Sequence, residues 1–410
     1  MRIAFIVIYF GSVPWYFRFF QESCVHNPDV DFILITDLDL KGDMPDNIIV
    51  VRSSLDEISK KCTDRLGFKI SLMNPYKLCD LKPAYGWIFS DLIEGYDFWG
   101  HSDIDLVFGN IRSLLTADIL NRYDVITSKR EYIAGFFSLF RNNKKINTLF
   151  MRSRDYRKVF QDSAFYDFDE CSWEWEALIN GKKVWELKSE IESITHVIKN
   201  AERAGEIAVF WDAMEHHPGE IVWARGDLLN SKQQRILLCH FIFFKQLHFK
   251  YVPTWKTIPD RYYINSFYIS RYPPGSLADK GLRSILMIAR SVKGGLHLLS
   301  QRVQWGLSYL VASRRIDLKE MRSPTALEGY YKAEKWIIGV FIKDHCLHVN
   351  MNGSQFPLWH KGAGKFVMAK YKFQHLINIE FNFQFNEYTS AYILQVIGTG
   401  FMKFNFFKIS

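Results

Sequence analysis

Cysteine is scarce and scattered in this chain. Its six cysteines (Cys24, Cys62, Cys79, Cys171, Cys239 and Cys346) form no Cys-x-x-Cys pair, which excludes a thiolate zinc module and fits buried thiols in a reducing compartment. Long apolar runs are missing too. Ile3 to Phe10 is broken by Gly11, Ser12, Pro14 and Arg18 within about half of the ~20 residues a membrane span needs, so it reads as a buried first strand and not as a signal or anchor. There is no glycine-rich phosphate loop, no internal repeat and no low-complexity tract. The net charge is +8, yet no basic stripe, zinc module or recognition-helix pattern accompanies it, so nucleic acid is not an expected partner. A cytoplasmic location is expected, with any membrane contact peripheral.

What is present is enough for two or three domains: 410 residues, 48% of them hydrophobic and 16% aromatic. Ile3 to Phe10, Val30 to Asp37 and Asn47 to Val51 read as strands. Trp15 to Val25 carries helical spacing between the first two, so the chain opens as βαβ, and Leu55 to Leu72 after the third is expected to be helical. Lys82 to Ile93 reads as a helix feeding an aromatic strand at Tyr96 to Trp99. Arg122 to Ser128 and Ile133 to Leu139 read as strands, and Lys144 to Phe160 as a helix. Short strands are expected at Glu206 to Trp211 and Gly219 to Leu229, the latter turning at Ala224-Arg225-Gly226-Asp227. A strongly apolar run spans Ile236 to Phe249. This alternation predicts a mainly parallel sheet covered by helices, with ligands gathered at the carboxyl ends of its strands.

After Tyr272-Pro273-Pro274-Gly275 the composition changes. Leu282 to Arg315 reads as two basic amphipathic helices split at Gly294-Gly295, suited either to an anionic membrane face or to packing on the preceding domain. The alternation in 366–371 and 377–385 predicts a small antiparallel sheet or sandwich. The expected domains are therefore 1–252, a linker with basic helices over 253–325, and a β-rich domain over 326–410.

The most telling local feature is Asp103-Ile104-Asp105, at the end of the aromatic strand. Residues two apart on an extended strand share a face. Two carboxylates held that close repel unless a cation lies between them, and hard oxygens select Mg²⁺ or Mn²⁺. Such a metal points to a phosphate-bearing substrate; the plainer alternative is a pair of turn-capping acids.

In order along the chain stand Ile3 to Phe10, Pro75-Tyr76-Lys77-Leu78-Cys79-Asp80-Leu81-Lys82-Pro83, Asp103-Ile104-Asp105, Gly135-Phe136-Phe137, Phe168-Asp169-Glu170, and His240 with Lys245. In this ordered set residues 1–252 resemble GT-A nucleotide-sugar glycosyltransferases, in particular a little-characterised bacterial family tied to surface polysaccharides such as O-antigen and capsule. The resemblance implies a Rossmann-like GT-A domain and a metal-dependent, inverting transfer from a nucleoside diphosphate sugar, such as a UDP-sugar, to a glycan or lipid-linked acceptor at the inner membrane face. It implies Asp103, Asp105 and His240 as ligands of Mn²⁺ or Mg²⁺, with Tyr9, Lys77, Asp80, Lys82, Asp103, Gly135 and Lys245 about the nucleotide sugar. His240 and Lys245 are similar to the histidine and lysine of glycogenin-like transferases, although their spacing is shorter by about one residue and the following Pro-Trp is absent.

Each assignment has a plainer alternative. His240 reads equally as a hydrogen-bonded core histidine, Lys77, Asp80 and Lys82 as a solvated helix face, and Gly135 as a strand bulge. For the acceptor's proton the candidates are Asp169 and Glu170, set among Phe165, Tyr166, Phe168, Trp173 and Trp175, with Asp167, Glu174 and Asp212 also open. The same acids also suit a helix N-terminus. Two other classes share these features: a metal-dependent nucleotidyl- or phosphotransferase, and a non-catalytic carbohydrate-binding assembly protein.

Overall fold

The computed structural model describes residues 1–290 except 41, 43, 213 and 248, together with the backbone of eight strands between 329 and 408. Two compact units divide at Ile288 and Ala289.

In the first unit, β1 (Ile3–Tyr9), β2 (Val30–Thr36) and β3 (Ile48–Arg52) run parallel, and β4 (Phe98–Ser102) joins β1, also in parallel. Further along the chain come β5 (Leu106–Phe108), β6 (Val125–Thr127), β7 (Phe137–Arg141) and β8 (Val209–Trp211). The main sheet has the order β3-β2-β1-β4-β7-β6-β8, and β7 alone runs antiparallel to both of its neighbours. This is the mainly parallel α/β sheet that the alternation predicted.

Both faces of the sheet are covered, which is why its strands are mostly apolar. Ala4 and Ile6 of β1 join Ile33 and Ile35 in one core, while Ile3, Phe5 and Val7 join Phe32 and Leu34 in the other. Helix α1 (Phe17–Val25) buries Phe17, Phe20 and Cys24 in the second core. Helix α2 (Leu55–Leu66) starts at a Ser54/Glu57 capping box and stops at Gly67, whose φ of 74° is left-handed, so it ends short of Leu72.

Other expected helices are broken. Lys82 to Ile93 resolves into a 3₁₀ turn at Lys82–Ala84 and a short helix at Tyr85–Ile88. Lys144 to Phe160 becomes Lys144–Asn147, Leu149–Arg152 and Tyr156–Gln161. The second break has visible causes. Ser153 turns its hydroxyl away to the Glu192 carbonyl (2.5 Å), and Asp155 accepts the Glu192 amide at 2.8 Å. Side-chain bonds of this kind compete with helix continuation.

Two smaller sheets complete the unit. The strands β9 (Glu215–His216), β10 (Ile221–Ala224), β11 (Asp227–Leu229), β12 (Leu238–His240), β13 (Arg261–Ile264) and β14 (Ile269–Ser270) form the orders β5-β12-β9 and β11-β10-β13-β14. The Ala224 to Asp227 turn occurs as expected, with Arg225 and Gly226 both at positive φ. The apolar run after Ile236 is not one element: β12 gives way at Phe241 to a helix over Ile242–Gln246.

Residues 277–290 are helical. Asp279 and Leu286 face inward, where Leu286 and Leu282 pack with Phe267 and Tyr268, and the Tyr268 hydroxyl donates to Asp279 at 2.8 Å. No described helix is long and apolar enough to cross a membrane. The remainder of the two expected basic helices, 291–315, lies outside the described residues.

In the second unit β15 (Gly329–Ala333), β16 (Trp336–Lys343), β17 (Cys346–Met351), β18 (Ser354–Gly362), β19 (Lys365–Met368), β20 (Glu380–Asn386), β21 (Ala391–Ile397) and β22 (Lys403–Lys408) pair antiparallel in sequence order, and β22 returns to β15. The β-rich segment is thus a closed eight-stranded barrel and not an open sheet or sandwich; closure leaves no unpaired edge. Residues 369–379, within or between the two alternating runs, lie outside the described residues.

Candidate metal and donor site

The site is assembled at the carboxyl end of β4. Asp103 directly follows that strand, Asp105 directly precedes β5, and β12 lies antiparallel to β5 with His240 opposite Leu106. The Phe241 amide donates to the Asp105 carbonyl at 2.9 Å, which locks this register. As a result ligand atoms of Asp103, Asp105 and His240 lie within 4.8 Å of one another. Two carboxylates and an imidazole form a donor set that suits Mg²⁺ or Mn²⁺. Asp103 and Asp105 thus meet the third expected ligand, but across the turn between β4 and β5 and not, as strand spacing suggested, on one face of an extended strand.

Two lysines answer the carboxylates. Lys82 Nζ donates to Asp103 Oδ1 and to the Gly135 carbonyl, each at 2.7 Å, and Lys245 Nζ donates to Asp105 Oδ2 at 2.6 Å. Asp105 is buried, and burial alone would raise its pKa, but His240 and Lys245 outweigh that and hold it far below the usual carboxylate range. Burial disfavours protonated His240 as well, yet its contacts with Asp105 and Glu215 push it up to about 9. Lys82 likewise stays charged despite burial, because Asp103 and Asp169 surround it.

Sequence reasoning missed Glu215, Lys129 and Tyr16. Glu215 Oε1 lies 2.5 Å from His240 Nδ1, and Lys129 Nζ lies 2.5 Å from Glu215 Oε2. The one signal for Glu215 was its place in Glu215-His216-His217, three potential ligands in a row. Burial and the charges of Asp105 and Asp103 raise the Tyr16 hydroxyl, which hydrogen-bonds Tyr9. Tyr9 ends β1 beside β4, so it stands at the same edge of the sheet.

Gly135 and the acids after Phe168 form the neighbouring wall. Glu170 accepts the Gly135 amide at 2.8 Å and the Trp175 indole N–H at 2.7 Å. Asp169 Oδ2 lies 3.9 Å from Lys82 Nζ, and its buried Oδ1 accepts no hydrogen bond among the described residues. Burial pushes Asp169 well above the usual range; Lys82 offsets part of this and Glu170 adds to it. Trp175 packs edge-on to Trp173 (5.2 Å between ring centres), Trp173 to Phe165 (5.3 Å) and Phe165 to Tyr76 (4.8 Å), so aromatic rings do border the acids. Asp167, Ser172 and Trp173 all hold positive φ in this bend. Tyr166 and Phe168 turn away: Tyr166 donates to Asp162 at 2.6 Å and Phe168 packs on Phe160.

Other candidates stand apart from the cluster. Lys77 is buried and its ammonium is spent on Asp80 (2.8 Å) and the carbonyls of Val159 (2.7 Å) and Ala164 (2.5 Å). Asp80 in turn accepts the Tyr166 and Phe168 amides at 3.0 and 2.8 Å. This pair therefore pins the segment carrying Asp169. Neither a solvated helix face nor an exposed phosphate contact describes it. Asp212 pairs with Arg130 at 3.1 Å, and Glu174 precedes the short helix Trp175–Ile179.

Comparison with known proteins gives a family without a function. Residues 5–271 match the model of a family described as a family of unknown function (DUF6625), and the chain belongs to that family. No curated protein matches. Among solved structures, the galactosyltransferase LgtC in complex with donor and acceptor sugar analogs is similar at 14% identity and a TM-score of 0.25; the match covers 39% of this chain and 66% of that one. The chain thus spans just under two thirds of that enzyme's length.

Proposed function

We propose that this protein is a metal-dependent glycosyltransferase that moves a sugar from a nucleoside diphosphate donor, such as a UDP-sugar, to a glycan or lipid-linked acceptor in surface-polysaccharide synthesis. The observation that carries this reading is the convergence of Asp103, Asp105 and His240 with two ammonium groups at the carboxyl edge of a mainly parallel sheet. A divalent cation bound by the first three would neutralise the charge that grows on a departing diphosphate. In this reading Lys245, the more exposed of the two lysines, turns from Asp105 toward a phosphate oxygen, and Lys82 keeps Asp103 oriented. Asp169, with an oxygen still open and a raised pKa, takes the acceptor's proton in an inverting transfer, and Glu170 fixes Gly135 and Trp175 beside it.

Placement at an anionic membrane face also belongs to this proposal. Its support is the outer face of the 277–290 helix, where Leu277 (88% exposed), Ile285 and Ile288 (66% each) stand among Lys280 and Arg283.

Calorimetric titration of uridine diphosphate with Mn²⁺ into the full chain tests the central claim. Metal-dependent binding that disappears in Asp103→Ala and Asp105→Ala is expected. Failure of every nucleoside diphosphate to bind with metal present would overturn it. A donor screen by mass spectrometry then identifies the sugar.

A further inference from the structure

Glu215 has no place in the donor chemistry just described, yet it is buried and touches three groups that can carry positive charge. Its Oε1 lies 2.5 Å from His240 Nδ1, while its Oε2 lies 2.5 Å from Lys129 Nζ and 3.7 Å from His217 Nε2. The contact is set by backbone pairing: β9 runs parallel to β12, with Glu215 opposite Leu238 and His216 opposite Cys239. On the other side of the His240 ring, Nε2 is 3.5 Å from Asp105 Oδ2, and the ring face packs on Phe136 with centroids 4.5 Å apart. The imidazole is therefore held along its plane by Glu215 and across its plane by Phe136.

We propose that Glu215 is a positioning residue for the metal centre: it holds the His240 ring through Nδ1–H so that, when a divalent cation takes the place of the Nε2 proton, the Nε2 lone pair faces Asp103 and Asp105, while Lys129 fixes Glu215. The chemistry follows from donor capacity. A carboxylate can only accept, so Nδ1 must donate to it, and a neutral imidazole then has Nε2 alone for a cation. A carboxylate behind a metal-binding histidine sets its tautomer and orientation, and its loss commonly weakens metal binding 10- to 100-fold. This inference rests on the metal reading of the proposed function.

The test uses the full chain and Mn²⁺ alone, with binding read from the free-ion electron paramagnetic resonance signal. Glu215→Ala is expected to bind about 10- to 100-fold more weakly than wild type. Glu215→Gln, whose amide oxygen still accepts from Nδ1, is expected to recover most of that loss. Binding by a folded Glu215→Ala within twofold of wild type overturns the proposal. A second measurement needs no variant: long-range ¹H–¹⁵N spectra of ¹⁵N-histidine protein with Mg²⁺ should show His240 protonated on Nδ1 and not on Nε2, and the reverse tautomer overturns the proposal even if the alanine variant does not fold. Absence of Mn²⁺ binding by wild type removes the metal reading itself, and this assignment with it. That outcome is distinct from wild-type binding left unchanged by the variant.

Discussion

The α-carbon of Gly135 lies so close to Asp169 that a β-carbon there would overlap the carboxylate Oδ2. The Gly135 amide meanwhile bonds Glu170 and its carbonyl bonds Lys82. A single residue without a side chain thus lets both acids and the lysine meet.

Gly135→Ala should displace Asp169, lowering stability by about 1–3 kcal/mol as other overpacked sites do. Donor hydrolysis should fall further than the unfolded fraction explains. Urea denaturation and hydrolysis rates measured together test this; a variant matching wild type in both would show that the wall yields without consequence.

Asp103 and Asp105 should differ in what their loss costs the fold. Asp103 is 40% exposed on its side chain, and Lys82 keeps the Gly135 carbonyl without it. Asp105 is buried against His240, so Asp105→Ala leaves a buried cation held by Glu215 and by the more exposed Asp103. Its cost is expected to approach the ~3–5 kcal/mol of a broken buried pair, with Asp103→Ala nearer 1 kcal/mol. Both should abolish Mn²⁺-dependent nucleotide binding. Equal melting temperatures for the two variants would contradict the difference in burial.

Lys77→Met should destabilise by about 3–5 kcal/mol, because Asp80 and two carbonyls lose their buried partner. The folded fraction should bind nucleotide as wild type does. A large rise in nucleotide Kd with unchanged melting would instead return Lys77 to the donor site.

Stability of the metal-free protein should depend on pH through His240. Its folded pKa of about 9 exceeds the unfolded value of about 6.5, so its stabilisation is complete below that lower value and is lost as pH rises through 9. The total is on the order of 3 kcal/mol. Asp105 and Glu215 are lowered, so their contribution is present above about pH 4 and is lost on acidification. Urea midpoints at pH 6 and 9.5 should therefore differ in wild type and converge in His240→Gln. An unchanged pH slope in that variant would reject His240 as the source.

Much of the fold was legible because its signals are local. The run Ile3 to Val7 alternates between two cores, so its residues are apolar without a break. The Asp103/Asp105 spacing was legible too, but the two acids meet in the turn between β4 and β5 and not on one face of an extended strand. The rest depends on pairing between distant segments. Nothing near His240 announces that β12 will lie against β5, or that β9 will deliver Glu215 to its far side. Lys77 and Asp80 show the opposite failure: a lysine and an aspartate three apart look like a polar helix face, and only the packing of residues 159–168 over them reveals a buried ion pair. Alternation made β19 and β20 readable, whereas the barrel's closure is a single pairing between its first strand and its last.

That β12 completes the site also fixes when it can exist during synthesis. Lys245 stands 140 positions after Asp105, an interval of roughly 7–28 s at the usual ~5–20 residues per second. Until then Asp103 has Lys82 at hand, made earlier on the same ribosome, whereas Asp105 has neither of its cationic partners. The newborn chain therefore carries the two acids of the cluster without their histidine, and the acid that waits for its partners is the one destined to be buried.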